Sequence, residues 1–400
     1  MSTWASPLLG DVATFVRGIN FKPPDIVDLG TSDSVACMRT KNVQEKLDLS
    51  DVWAVPKKFV KRNDQILHHG DVLVSSANSW NLVGKCCWIP ELPWSASFGG
   101  FVSVLRANSE KVEPRYLYRW FSSDRVQNIV RSFGRQTTNI SNLDINRCLE
   151  MTFPLPPIAQ QKRIAAILDR AEELRGLRRQ ALAALDAIVQ SIFLEMFGDL
   201  RSLVDKQNIV SLSSICHSIN DGTHKTPVYV SCGIPFITVK NIVSGKLDFS
   251  NTKFISEEEH KELTKRTKPE RGDVLVSKDG TIGVPCPIQT NAEFSSFVSV
   301  ALLKPKADLV DQIFLVAQLS SEWLQEQIRA GTKGIAIRHL HLTDFKRLKL
   351  LLPPLSLQQE FVQRVEAIEQ LKATHRESLA QLDALFASLQ HRAFRGELSP

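Results

Sequence analysis

The sequence has no Cys-x-x-Cys pair; its seven cysteines are scattered, odd in number and include the adjacent Cys86 and Cys87. That spacing suits neither a disulfide framework nor a zinc site, so all seven are expected as reduced thiols. Nor do His68-His69 or His339-Leu340-His341 have the helical spacing and nearby carboxylate of a catalytic metal, so no metal is expected. The phosphate-cradling lysine loop is missing, because Gly84-Lys85 runs into Cys86 and Gly245-Lys246 into Leu247. Gly-x-Ser-x-Gly, His-Glu-x-x-His and Gly-x-Gly-x-x-Gly are absent as well. A DNA adenine methyltransferase holds its extruded base with an Asn/Asp-Pro-Pro-aromatic tetrapeptide, yet the double prolines here lie in Lys22–Asp25, Leu155–Ile158 and Leu352–Leu355. These absences point to a chain without catalytic machinery.

Long apolar runs are scarce too. Leu348 to Leu357 is interrupted by Lys349 and two prolines and falls short of the ~20 residues that span a bilayer. The first residues, MSTWASPLLGDV, lack a basic segment followed by an apolar one, so no secretory signal is read. The expectation is a cytoplasmic chain with no membrane partner.

What is present is a duplication. The 400 residues, 43% hydrophobic and 23% charged, suit a globular chain of two to three domains. GDVLVS stands at Gly70–Ser75 and again at Gly272–Ser277; FVSV at Phe101–Val104 and Phe297–Val300. Leu155-Pro-Pro157 returns as Leu352-Pro-Pro354, with Gln161 and Gln358 at equal distance beyond. CMRTKNV from Cys37 matches FITVKNI from Phe236, and LGDVA from Leu9 matches LSSIC from Leu212. Five collinear matches at nearly constant offset indicate two copies of one plan.

In each copy short β-rich runs with interleaved helical stretches precede the double proline, and an unbroken helical pattern of about 40 residues follows it. The predicted organisation is α+β: a globular domain over 1–156, a long helix over 157–199, a second globular domain over 200–353 and a second long helix over 354–398. Apolar residues at Leu168, Ala171, Leu182, Leu185, Val189 and Ile192 recur 197 residues later as Val365, Ile368, Leu379, Leu382, Phe386 and Leu389. One such stripe reads as a helix lying on its own globule; two in identical register read as the seam of an antiparallel coiled coil under a pseudo-twofold axis. Arg175, Arg178, Lys372 and His375 interrupt the frame, and Leu174 and Leu371, one residue earlier, are expected to carry the seam across.

The net charge of +6 is unevenly spread. Basic against acidic residues number 18 to 15 over 1–156 and 20 to 16 over 200–353, but 6 to 6 and 5 to 6 over the helical stretches. Two DNA-reading heads on a neutral spacer show that distribution. The loops GRQTTNISN (Gly134–Asn142), GTKGIAIRH (Gly331–His339) and SANSWNLVGK (Ser76–Lys85) carry donors and acceptors that suit base edges, though each also suits an ordinary surface loop. The candidate DNA contacts are Lys41, Asn42, Asn78, Trp80, Lys85, Arg135, Gln136, Thr137 and Asn139 in the first copy. In the second they are Lys240, Asn241, Lys278, Thr281, Lys333 and Arg338.

FPLPPIAQQKRIAAILDRAEELRGLRRQALAALDAIVQSIFLEMFGD from Phe153, LLLPPLSLQQEFVQRVEAIEQL from Leu350 and the closing RAFRGEL at Arg392–Leu398 resemble the specificity (S) subunits of type I restriction-modification systems. IPFITVKNI at Ile234–Ile242 and both GDVLVS segments look like pieces of that family's target recognition domains. The resemblance implies a non-catalytic subunit in which each recognition domain reads half of a bipartite double-stranded DNA target and the helices hold the halves apart. It also implies two modification (M) subunits that carry AdoMet and restriction (R) subunits that use ATP and Mg, with no cofactor on this chain. The docking platform it implies is the helical region, with Ile158, Ile164, Leu355 and Phe361 as partner-binding residues. The first helix starts Ala159-Gln160-Gln161-Lys162-Arg163 where the second has Ser356-Leu357-Gln358-Gln359-Glu360, so the two docking places differ. The rival readings are a coiled-coil scaffold and a divergent standalone DNA methyltransferase.

Overall fold

Gly70 and Gly272 each adopt a left-handed backbone conformation, φ +94° and +99°, that a residue with a Cβ resists. This turn opens the duplicated GDVLVS in the computed structural model of the chain, which describes residues 4–136, 140–199, 208–332 and 339–398. The next residue ties the turn down. Asp71 accepts the His68 backbone N–H at 2.8 Å and pairs with Arg106 at 2.7 Å; Asp273 accepts that of Glu270 at 2.8 Å and pairs with Lys304 at 2.7 Å. The strands that follow are buried along their whole length. Alternate side chains serve different cores, Val72 and Val74 one and Leu73 another, which is why the run is apolar without alternation.

The chain divides into two compact units, Met1–Arg179 with Glu377–Pro400, and Gln180–Arg376. Each is built around a four-stranded antiparallel sheet. In the first unit the order is Ala13–Arg17, Val102–Ala107, Val72–Ser75, Cys86–Trp88; in the second it is Cys216–Asp221, Val300–Pro305, Val274–Ser277, Pro285–Pro287. A mixed three-stranded sheet accompanies each, with Ser34–Met38 central in one and Ile234–Ile237 in the other. Helices Pro114–Phe121 and Asp124–Ser132 of the first unit correspond to Gln312–Leu319 and Glu322–Gly331 of the second.

Pairing registers correct one of the repeat matches. Val102 stands opposite Ser75 and Val300 opposite Ser277, so the strands superpose at an offset of 198 residues. The FVSV match, at 196, is slipped by two. An apolar strand read in letters slips easily by two residues because alternate side chains return to the same face.

The long helices run Ile158–Phe197 and Leu355–Ala393. The fourth residue of each is a glutamine that is wholly buried. Gln161 donates to the carbonyls of Pro156 (2.8 Å) and Lys111 (3.3 Å) and accepts the Glu113 N–H at 2.9 Å. Gln358 does the same with Pro353 (2.8 Å), Leu309 (3.0 Å) and Asp311 (2.9 Å). The division between units falls inside both helices, so each unit holds the beginning of one and the end of the other.

In the second unit Asp186 pairs with Lys372 and Glu195 with Arg364, so residue numbers rise along one helix as they fall along the other. Phe193 and Phe197 meet Phe361 and Phe314 there. In the first, Leu168, Ala171, Phe386 and Ala393 share one core, and Arg175 reaches Asp383 at 2.6 Å. Leu174 and Leu371 do not carry the seam; both are exposed. Arg175 and Lys372 hold those places themselves, Lys372 being only 5% exposed. Each charge is met from two sides: Arg175 by Glu172 and Asp383, with its guanidinium 4.4 Å from the Phe386 ring, and Lys372 by Glu369 and Asp186.

One apolar stretch escaped the reading of long apolar runs. The first long helix is long and apolar enough to cross a bilayer, with a mean hydropathy of 1.4 over 18 residues. Its Asp186 and Glu195 are ion-paired and its Phe193 and Phe197 are buried in the second unit, while most of the apolar stretch is not buried.

Candidate nucleic-acid interface

Two loops that are far apart in sequence meet in the first unit. Strand Ala77–Asn78 pairs with Ser141–Leu143, which pairs in turn with Gly134–Gln136. SANSW and the GRQ…ISN hairpin therefore form one small sheet. Asn78 is held by a bond from its amide to Ser75 Oγ at 3.0 Å, and its oxygen accepts the Ser79 N–H at 2.8 Å. Trp80 is exposed and lies beside Gly134. Arg135 is exposed and pairs with Asp144 at 2.5 Å. Gln136 takes part through its backbone. Thr137 and Asn139 lie outside the described residues, as do Lys333 and Arg338 of the second copy.

A second group forms around Gln44. Lys85 reaches Gln44 Oε1 at 2.7 Å, Gln44 donates to the Lys41 carbonyl at 2.8 Å, and Lys41 pairs with Asp51 at 2.6 Å. Lys41 and its counterpart Lys240 are exposed, as is Thr281.

Several candidates turn out to serve the fold. Asn42 and Asn241 are buried. Asn42 accepts the Arg39 N–H and donates to the carbonyls of Asp48 and Asp51; Asn241 accepts that of Thr238 and donates to Asp248 and Asn251. Their donors and acceptors are spent on closing a loop, so neither reads a base. Lys278 is buried too, its ammonium 2.9 Å from Asp221, which also takes Arg266 at 2.9 Å and lies 3.3 Å from His224. Burial is the largest influence and would raise the Asp221 carboxyl, but Lys278 and His224 together outweigh it and hold the group below the usual carboxylate range. Among the partner-binding candidates, Ile164 and Phe361 are core residues of the first and second unit, unavailable for docking. Ile158 and Leu355 are half-buried at the helix starts. The exposed apolar side chains on the helices are instead Leu174, Leu177, Ile188, Leu194, Leu371 and Leu385.

One basic run escaped the sequence reading although its signal was plain. Lys57, Lys58, Lys61 and Arg62 fall within six residues, all exposed, while Phe59 and Val60 between them pack on a small core that includes Val35 and Val55. Only Arg62 of the four makes an ion pair among the described residues, with Asp64. All seven cysteines are free thiols, and no group of three metal-ligating side chains occurs among the described residues.

The family model for the type I restriction modification DNA specificity domain matches twice, over residues 1–186 and 205–384. The chain belongs to this family. It is 26% identical over 425 residues to the type I restriction enzyme EcoKI specificity subunit of Escherichia coli (strain K12), spanning 99% of this chain and 89% of that one. Against the StySPI specificity subunit of Salmonella potsdam the identity is 25% over 424 residues, with the same coverage. Two solved structures share the fold over nearly whole chains. One comes from work on complex assembly and conformational transition of the type I R-M system (TM-score 0.58, 21% identity, 99% and 98% covered), the other is an S subunit from M. genitalium (TM-score 0.52, 15% identity, 98% and 96% covered). As a specificity subunit with two such domains, the chain recognises DNA sequence in two parts and does not itself catalyse a reaction.

Proposed function

We propose that each unit reads one half of a bipartite double-stranded DNA target and that the two long helices, paired antiparallel, set the spacer between the halves. The observation that carries this reading is the small sheet of the first unit, which brings the segment bearing Asn78 and Trp80 beside the strand bearing Arg135. Asn and Arg side chains carry the donors that base edges match, and an exposed indole offers a stacking or wedge surface. Lys41, Lys85 and the run Lys57–Arg62 supply phosphate contacts, which position the head without reading sequence. In the second unit Lys240, Thr281 and the segment bearing Lys333 and Arg338 take these roles.

Two modification subunits dock along the helices, on Ile158 and Leu355 and on the exposed leucines, bringing AdoMet to adenines in each half-site. Restriction subunits with ATP and Mg join the same assembly, and this chain holds neither cofactor. The relatives' description as subunits supports the assembly.

The test maps N6-methyladenine in DNA from cells that express the chain with its modification partner. A split recognition sequence is expected; in the Asn78→Ala, Trp80→Ala variant only one half should change. Replacing Lys57, Lys58 and Lys61 by Ala should weaken binding to every sequence alike and lower the salt slope by about 0.9 per lost phosphate contact. Binding indifferent to DNA sequence would favour the scaffold reading.

A further inference from the structure

The repeat carries the same latch twice but fills the space behind it once. Behind Glu113 and Gln161 in the first unit, Arg115 and Arg119 both reach Asp169 of the long helix, Arg115 at 2.9 Å and Arg119 at 2.6 Å. The Arg115 guanidinium lies 4.6 Å from the Trp88 ring and 4.9 Å from that of Tyr118. These side chains occupy the angle between helix Pro114–Phe121 and the long helix. At the corresponding positions of the second unit, Arg115, Tyr118 and Arg119 are replaced by Ile313, Val316 and Ala317, while the carboxylate persists as Glu366. A cleft of about 870 Å³ lies there, walled by Ile313, Val316, Ala317, Val365 and Phe193. Glu366 lines it and, among the described residues, has no ion-pair partner. The neighbouring Asp186 and Glu369 are taken up by Lys372, and Glu322 by Arg329.

We propose that the cleft of the second unit docks an arginine presented by a partner polypeptide, flanked there by apolar side chains, with its guanidinium on Glu366. Both parts of such a side chain find a match. The stem covers the Ile, Val and Ala walls, and the planar head needs a carboxylate once it leaves water. The first unit shows this packing made from its own residues, so the site is particular to the second. The cleft's border carries five carboxylates against the two ammonium groups of Lys246 and Lys372, and this net negative charge repels DNA phosphate and attracts a basic protein segment. The proposal goes beyond the DNA reading above and needs neither the base-contacting loops nor a modification subunit to hold.

The test titrates the full chain by calorimetry with the peptide acetyl-Leu-Leu-Arg-Leu-Leu-amide and with the same peptide carrying neutral citrulline in place of arginine. The arginine peptide should bind at least about tenfold tighter, a difference of about 1.4 kcal/mol. Glu366→Gln, a change at an exposed side chain, should shrink that ratio below about twofold. Ala317→Arg, which lets the chain fill its own cleft, should abolish binding of both peptides. Equal affinity for the two peptides, no binding of either, or binding that both variants leave unchanged would overturn the proposal. If Ala317→Arg fails to fold, Glu366→Gln decides alone. Loss of DNA sequence reading in the methylation map would leave this result untouched.

Discussion

Asp221 and Lys278 form a pair that nothing in the duplication foretells, because the first copy has Arg17 and Ser76 at the matching places. Both are almost fully buried. Asp221→Ala strands a buried ammonium and is expected to cost about 3–5 kcal/mol in urea unfolding of the second unit; Asp221→Ala with Lys278→Met should recover most of it. The pH dependence has a definite sign. A carboxyl held below its unfolded value contributes stability that is complete above the usual carboxylate range and is lost as pH falls through the depressed folded value. Acid should therefore erode the wild type more than the double variant, and equal erosion from about pH 5 downward would contradict the assignment. Asn42 and Asn241 carry the lesson of this scale. Composition alone cannot tell an asparagine that reads a base from one that closes a loop, because the same amide serves both; burial decides.

The helices show the same limit from the other side. Their start, extent and register were legible from periodicity and from the double prolines, which end the preceding loop and cannot sit inside a helix. What letters could not show is that a charge occupies the seam. Arg175 and Lys372 lie among apolar neighbours because carboxylates from both flanks meet them, and only the fold brings Asp383 and Asp186 within reach. Such pairs add little to stability but penalise other alignments. Arg175→Leu with Lys372→Leu should raise the melting temperature or leave it unchanged, while size-exclusion chromatography should show mixed oligomers as alignment loosens. A lower melting temperature with a single species would mean that these charges stabilise rather than specify. The slipped FVSV match is the strand counterpart: a shift of two residues keeps every side chain on its face, so only the pairing with the neighbouring strand fixes the register.

For the molecule as a whole, the proposed spacer makes a quantitative demand. Inserting one heptad next to Leu174 and one next to Leu371 adds about 10 Å to each helix, which is about three base pairs of B-form DNA. Methylation mapping should then show both half-sites unchanged and the unspecified gap longer by about that amount. An unchanged gap would mean that the helices do not set the distance. The sequence by itself determined the duplication, the two long helices and the absence of catalytic motifs, since these are periodic or local properties that survive in one dimension. Only the tertiary structure decided which polar side chains remain available for DNA, where the seam keeps its charges, and that one repeat holds a cleft where the other holds two arginines. Each depends on which distant residues become neighbours, and spacing along a chain does not encode that.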